Sequence, residues 1–345
     1  MSDSPSHATN RREFGKIALG GAGKAAALLS AASRAGAAAE YPAAKIANGS
    51  IRAELYLPDA VNGYYRATRF DWSGVIASLE CKGHNFFGVW FPRYDPKLHD
   101  SITGPVEEFR TGESALGYQE AKAGGTFIRI GVGVLRKPDE PNFQRFKTYE
   151  IVDPGKWTVR TAADSVEFVH VVDGTASMEY AYRYRKVVRL VKDQPRMTIE
   201  HSLKNTGTKL IETNVYNHNF FVIDGQPTSP DFVVKFPFEL KADPDLGDLA
   251  EIRGKELIYR QAVPAGKSVA ALLSGFGADS SDFDIRVENR KTGAGVRVTG
   301  DRPLSRMYFW SIRTVLSPEP YIDMRIKPGA EFQWNLNYDF YTLSR

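Results

Sequence analysis

Short runs in which apolar and polar residues alternate recur along most of this chain, and turns that contain glycine separate them at short intervals. Alternation with a period of two is typical of strands that bury one face. The clearest runs cover residues 166–172, 178–190, 197–203, 283–288, 296–300 and 332–341. Longer helical periodicity is missing, and the pattern predicts only one helical turn, at residues 105–110. The predicted fold class is therefore all-β, as one large antiparallel β-sandwich without a linker or an internal repeat.

The N-terminal segment has a different character. Residues 10–39 read NRREFGKIALGGAGKAAALLSAASRAGAAA, in which Arg11 and Arg12 precede a weakly apolar stretch and three alanines end the segment. That order predicts a twin-arginine export signal at residues 1–39 and one β-sandwich domain at residues 40–345. We expect a periplasmic or secreted protein; the alternative is a basic tail without an export role. The apolar stretch is too short and too rich in glycine to span a membrane, and no later run approaches a span.

Composition excludes several other classes of protein. The formal net charge is only +4, and five of the basic residues lie in the leader, so charge gives no reason to expect a nucleic-acid partner. The single cysteine, Cys81, rules out an intrachain disulfide and a zinc site made of cysteines. The sequence lacks a phosphate-binding glycine loop, a His-Glu-x-x-His motif and a Gly-x-Ser-x-Gly elbow. Neither an organic cofactor nor a metal site is predicted.

The strongest local signal is the segment 213–225, TNVYNHNFFVIDG. It follows an alternating strand and a turn, and it sets His218 among Tyr216, Asn217, Asn219 and a pair of phenylalanines. A histidine titrates near neutral pH and exchanges protons readily there. The alternative interpretation is a packed, hydrogen-bonded histidine at a strand end.

The order of elements in this region resembles that of the galactose mutarotase-like, or aldose 1-epimerase-like, superfamily: an alternating strand, a second strand, the Asn-His dipeptide, paired aromatic residues and a turn. In that family the histidine of the dipeptide acts on the ring oxygen of a sugar, and His218 matches its position. Residues 317–341 resemble the family's C-terminal segment, in which Glu319 matches the catalytic glutamate. The resemblance implies the family's large β-sandwich and an activity at the anomeric carbon of a sugar.

That activity needs two groups that exchange protons. Opening a sugar hemiacetal requires a base for the proton of the anomeric hydroxyl and an acid for the ring oxygen. His218 is the predicted general acid and Glu319 the predicted general base. The two are 101 residues apart, so only a fold that joins their strands can unite them. For Glu319 the alternative interpretation is a surface acid in a proline turn.

The sequence departs from the family at a second substrate histidine. It lacks the family's Leu-His-Gly-Gly segment, and residues 95–109 (DPKLHDSITGPVEEF) are the predicted replacement. Sugar pockets combine aromatic platforms with polar groups that bind hydroxyls, and the segment 64–72 (YYRATRFDW) contains both. The predicted substrate-binding residues are Arg69, His99, Glu108, Tyr216, Asn217, Trp310 and Arg313.

Together these patterns predict an exported, carbohydrate-active isomerase of the aldose 1-epimerase type, with a monosaccharide or a glycan as its partner. One alternative keeps the fold but cleaves glycans as a lyase or hydrolase, because one fold serves several reactions. The other alternative is a non-catalytic glycan-binding protein of the cell envelope. His218 facing a carboxylate across a sugar-sized cleft would favour an enzyme, whereas an aromatic cleft without that pair would favour binding alone.

Overall fold

A computed structural model describes residues 41–174 and 179–344, so the predicted leader at residues 1–39 lies outside the described residues. The first eleven strands are β1 (Ala43–Ala47), β2 (Ile51–Tyr56), β3 (Val75–Cys81), β4 (His84–Asn85), β5 (Val106–Arg110), β6 (Thr126–Arg129), β7 (Gly133–Arg136), β8 (Ile151–Asp153), β9 (Lys156–Thr161), β10 (Ser165–Val172) and β11 (Tyr182–Leu190). The remaining strands are β12 (Arg196–Asn205), β13 (Ile211–His218), β14 (Phe232–Lys235), β15 (Lys241–Asp243), β16 (Ala250–Arg253), β17 (Glu256–Tyr259), β18 (Ser268–Ser274), β19 (Asp284–Asn289), β20 (Ala294–Gly300), β21 (Arg306–Ile312), β22 (Val315–Ile326) and β23 (Glu331–Thr342). Apart from two short 3-10 turns, Ile223–Gly225 and Ser280–Asp282, these two ranges contain no helix, and nothing in them is long and apolar enough to cross a bilayer as a helix.

Two large antiparallel sheets dominate the molecule. The larger has ten strands in the order β16-β17-β14-β19-β20-β23-β12-β11-β10-β9, and the other has six in the order β15-β18-β21-β22-β13-β5. Smaller sheets are formed by β1–β4 and by β6–β8. The prediction of an all-β, large antiparallel β-sandwich is therefore confirmed.

The inner faces of the two large sheets share one hydrophobic core. Ile199 on β12 and Trp334 on β23 face it from the ten-stranded sheet, and Val215 on β13 and Ile322 on β22 face it from the six-stranded sheet. Successive side chains of a strand point to opposite faces, so the residues between them point outward. Burying one large aliphatic side chain contributes about 1.5–3 kcal/mol, and this core holds dozens of buried residues.

Most alternating runs of the sequence form strands with nearly the expected bounds. The run at 166–172 lies within Ser165–Val172, and the run at 332–341 lies within Glu331–Thr342. The run at 178–190 is a strand only from Tyr182, and its first residue lies outside the described residues.

The helical turn predicted at residues 105–110 is wrong. Residues Val106–Arg110 of this segment form β5, and all five are buried. A strand covered on both faces has no alternation to read, so its sequence VEEFR gives no strand signal.

A second hydrophobic cluster covers part of the outer face of the six-stranded sheet. It draws on the segments before β3 and before β5, on β6 and β7, and on the end of β13. Its buried members include Tyr65, Phe70, Trp90, Ile102, Phe127 and Phe220. The sandwich therefore has a third layer over β5 and β13, and polar side chains on that outer face are enclosed between two layers.

Candidate functional site

His218 and Glu319 are brought together by the pairing of β13 with β22. Tyr216 lies opposite Tyr321 in this antiparallel pair. The same register, continued by two residues on each strand, places His218 opposite Glu319. Both side chains point to the outer face of the sheet. His218 Nε2 lies 3.2 Å from Glu319 Oε1, and each residue is only 3% exposed. Glu319 is thus a buried carboxylate and not a surface acid.

Aromatic rings enclose the imidazole of His218. Phe220 stacks on it at 3.6 Å between ring centroids, and Trp310 and Phe70 approach it edge-on at 5.5 and 5.7 Å. Its Nδ1 is buried and has no hydrogen-bond partner. The imidazole therefore meets the Glu319 carboxylate in a nearly water-free environment.

The backbone after His218 is anchored by Asn219. Its Nδ2 donates to Pro318 O at 2.7 Å, and its Oδ1 accepts from the Tyr338 hydroxyl at 2.8 Å. Phe220 follows with a φ of 42°, in the left-handed region that a bulky residue rarely adopts. Gly104 leaves room for this bend, because a Cβ there would lie 2.5 Å from Asn219 O.

Burial controls the protonation of the pair. It raises the pKa of Glu319 to about 7, against the opposing charges of Arg69 and Arg145. Burial also lowers the pKa of His218 well below its usual value, and the same two arginines add to that effect. Below a pH of about 7 the pair therefore holds one proton, on Glu319, beside a neutral imidazole.

One row further along the same outer face, Glu108 gathers three guanidinium groups. Its carboxylate lies 3.0 Å from Arg69 Nε, 3.2 Å from Arg129 Nη2 and 2.9 Å from Arg145 Nη2. The hydroxyl of Tyr216 donates to Glu108 Oε2 at 2.5 Å. Burial alone would raise the pKa of Glu108, but Arg145, Arg69 and Arg129 outweigh it and hold the pKa well below its usual value.

The similarity of this chain to known proteins lies in its fold. No protein-family model matches the chain, and no curated protein matches it. Solved structures do match. A galactose mutarotase-like protein from Clostridium acetobutylicum has a TM-score of 0.54 at 13% identity, over 87% of this chain and 95% of that one. A GalM/aldose epimerase homologue from C. elegans has a TM-score of 0.53 at 14% identity, over 88% and 100%. A galactose mutarotase related enzyme from Lactobacillus acidophilus has a TM-score of 0.53 at 14% identity, over 88% and 98%.

The fold is the mutarotase-like β-sandwich. In this mutarotase-like fold, five of the predicted site residues lie together on the outer face of the six-stranded sheet or against it. They are Arg69, Glu108, Tyr216, His218 and Glu319. Their roles stay predictions.

His99 reaches this group through one neighbour. Its Nε2 lies 3.0 Å from Asp100 Oδ2, and Asp100 in turn pairs with Arg69. Its ring also packs against that of Phe146 at 4.9 Å between centroids. His99 is therefore placed at the rim of the site.

Asn217 points to the other face of β13, into the sandwich. Its Nδ2 donates to Glu107 Oε1 at 3.1 Å, and Glu107 also pairs with Lys186 and, at 2.9 Å, with His201 Nε2. Burial opposes ionisation of Glu107, but Lys186 and His201 outweigh it and lower its pKa to about 2. The structure therefore does not place Asn217 beside His218, although the two are neighbours in sequence.

Trp310 and Arg313 border a hollow of about 960 Å³. Trp310 forms the wall between this hollow and His218, and its ring also meets that of Trp90 edge-on at 5.7 Å. Arg313 lies on the exposed turn between β21 and β22. His218 and Glu319 contact each other directly, so a sugar has to separate them or approach the pair from one side.

Sequence reasoning missed four residues of this site. Arg129 lies in an apolar strand, FIRIGVGVL, and Arg145 in a polar segment, PNFQRFKTY, so neither follows a motif. Asn219 and Phe220 lie inside the quoted segment, but their anchoring and stacking depend on residues from other strands. Only the density of polar and aromatic residues in 213–225 pointed to Asn219 and Phe220.

Proposed function

We propose that the protein is an exported, carbohydrate-active enzyme that interconverts the anomers of a sugar. The observation that carries the proposal is the buried contact between His218 and Glu319, which the pairing of two strands sets up on a mutarotase-like fold. A histidine and a carboxylate enclosed together are the pair that hemiacetal chemistry needs.

His218 and Glu319 together hold one exchangeable proton, which suits a reversible ring opening. One group takes the proton of the anomeric hydroxyl while the other gives a proton to the ring oxygen, and the C1–O5 bond breaks to leave an open-chain aldehyde. After the C1–C2 bond rotates, ring closure onto the other face of the aldehyde runs both transfers in reverse. His218 and Glu319 each act once as an acid and once as a base, so the pair starts and ends with one proton.

The polar cluster beside the pair supplies hydroxyl ligands. Hydrogen bonds to Glu108 fix the positions of Arg69 and Tyr216, and polar groups that are fixed in an enclosed site hold a polar ligand without reorganising. Trp310 supplies an aromatic face for the C–H side of a sugar ring.

Exchange NMR tests the proposed reaction. The rate of anomer interconversion is measured on a panel of freshly dissolved aldoses, with wild type, His218→Ala and Glu319→Gln. We expect acceleration by wild type and a loss of about 10²–10⁴-fold in each variant. His84→Ala serves as the matched control, because His84 pairs with Asp224 outside the site. If no aldose is accelerated, the proposal fails, and glycan cleavage and glycan binding are the next assays.

Export through the twin-arginine route has its own test. Replacing Arg11 and Arg12 by lysine is expected to leave the protein in the cytoplasm of a Gram-negative host, while wild type reaches the periplasm. Equal periplasmic yield from both would remove export from the proposal.

A further inference from the structure

The site contains more positive than negative charge. Arg69, Arg129 and Arg145 converge on the single carboxylate of Glu108. Within the described residues, ion pairs of these three arginines reach one further carboxylate, that of Asp100. Three permanent cations therefore face two anions.

His218 and Glu319 do not supply a full negative charge that would offset the surplus positive charge of the arginines. Burial raises the pKa of Glu319 to about 7, so near neutral pH this carboxyl carries only part of a charge. His218 is neutral there, because burial lowers the pKa of its imidazole. A surplus cation enclosed in protein is unfavourable unless an anion joins it.

Arg145 is the most accessible of the three cations, although it makes the most hydrogen bonds to Glu108, two from its Nε and one from its Nη2. If Arg145 turned away, Glu108 would still accept from Arg69 Nε at 3.0 Å, from Arg129 Nη2 at 3.2 Å and from the Tyr216 hydroxyl at 2.5 Å. The side chain of Arg145 is 28% exposed, against 7% for Arg69 and 3% for Arg129. The outermost guanidinium is thus the one that an incoming ligand can reach, and Glu108 keeps three other donors when Arg145 turns away.

The segment that carries Arg145 also offers an apolar surface. The next residue, Phe146, is 55% exposed, and its ring centroid lies 4.9 Å from the guanidinium carbon of Arg69. An exposed aromatic ring beside a partly exposed guanidinium matches a ligand with both C–H faces and a charge.

We propose that the site binds a sugar that carries an anionic group, and that Arg145 is the ligand of that group. The inference rests on the proposed function for the position of the sugar ring. A carboxylate matches the planar fork of a guanidinium, and phosphate and sulfate share this chemistry. The anion takes the place of Glu108 as the partner of Arg145.

Binding is tested with glycosides that cannot open their rings. Methyl glucuronide and methyl glucoside differ in a carboxylate against a hydroxymethyl group, and calorimetry compares their affinities for the whole protein. We expect the glucuronide to bind at least tenfold more tightly. The 6-phosphate and 6-sulfate of methyl glucoside, run as further arms, identify which anion fits best.

Variants separate the role of Arg145 from a general charge effect. Arg145→Gln is expected to remove the preference for the anionic glycoside, and Arg145→Lys to keep part of it. Arg160→Gln makes the same change of charge at a side chain that is 77% exposed, and it is expected to keep the preference in full. Circular dichroism confirms that each variant is folded.

The outcomes distinguish this inference from the proposed function. Equal affinities, a preference for the neutral glycoside, or no binding of any anionic glycoside overturns the anionic substrate. A preference that Arg145→Gln retains overturns the role of Arg145. Anomer exchange of free glucose and of free glucuronic acid, followed on the same samples, reports on the proposed function: acceleration of neither sugar overturns it, whichever glycoside binds more tightly.

Discussion

At the scale of single residues, the protonation of Glu319 has the largest consequences. The folded protein holds the proton of this carboxyl up to a pH of about 7, whereas an unfolded glutamate loses it near its usual value of 4.5. The folded state therefore binds more protons than the unfolded state between these two values, and stability falls as the pH rises through that window.

Glu319→Gln removes this titration. Between pH 4.5 and pH 8 we expect this titration to lower the unfolding free energy of wild type by on the order of 3 kcal/mol, a loss that the variant does not show. Urea unfolding at a series of pH values measures the difference. A difference that stays constant with pH would show that Glu319 titrates alike in both states.

The same proton predicts the pH profile of activity. Anomer exchange of a neutral aldose is expected to be fast while the pair holds one proton and to fall tenfold per unit once the pH exceeds about 7. The acid side stays flat, because burial lowers the pKa of His218. Values of kcat/KM measured from pH 5 to 9 test this pH profile, and a value that rises through neutral pH would contradict it.

The sequence could predict some of these residues and not others. His218 and Glu319 follow from a local pattern and from the resemblance to a family. Arg129 and Arg145 reach Glu108 from β6 and from the segment between β7 and β8, where no repeat or spacing marks them. The positions of Arg129 and Arg145 in the site depend on the third layer, which forms only when segments distant in sequence pack together.

At the scale of elements, the end of β13 determines where the imidazole lies. Asn219 ties this end to β22 and to β23, and it allows the left-handed backbone that stacks Phe220 on His218. Alternation identified β12 and β23 in the facing sheet, but neither β22 nor β5, the two strands that pair with β13. It missed β5, because both faces of that strand are covered.

Asn219→Ala should therefore affect both stability and activity. The variant leaves the Tyr338 hydroxyl and Pro318 O without their buried partner, which costs about 1–3 kcal/mol. We also expect slower anomer exchange, because Phe220 is no longer held against His218. Thermal unfolding and exchange NMR measure the two effects. The exposed Asn62, changed to alanine, is the control, and equal behaviour of the two variants would refute the anchoring role.

At the scale of the whole molecule, buried charges join the two large sheets. Lys186 on β11 meets Glu107 on β5 and lies 3.6 Å from Asp71 Oδ2. The sequence predicted the sandwich from its period of two, but a lysine in an alternating strand gives no sign that it points inward. The third layer was also not predicted, since it is built largely from short strands and irregular segments.

Lys186→Met should destabilise the sandwich strongly. Removing one partner of a buried ion pair leaves the other charge unpaired and costs about 3–5 kcal/mol. The double variant Lys186→Met with Glu107→Gln is expected to recover part of this loss. Lys156→Met, at an exposed ion pair, is the control and should change little. Urea unfolding of these variants and of Glu107→Gln alone decides the matter, and losses that simply add in the double variant would exclude a direct link between Lys186 and Glu107.

Glu107 and Glu108 are adjacent on β5, and one faces the interior while the other faces the site. The alternation of side chains along β5 therefore assigns Glu107 to the buried ion pairs that stabilise the sandwich and Glu108 to the site. An insertion or deletion of one residue in β5 would exchange the two carboxylates between the faces, and both networks would fail together. Length changes in related sequences should accordingly occur in twos within β5 and β13. Structure-based alignment of relatives tests that rule at identities too low for sequence alignment.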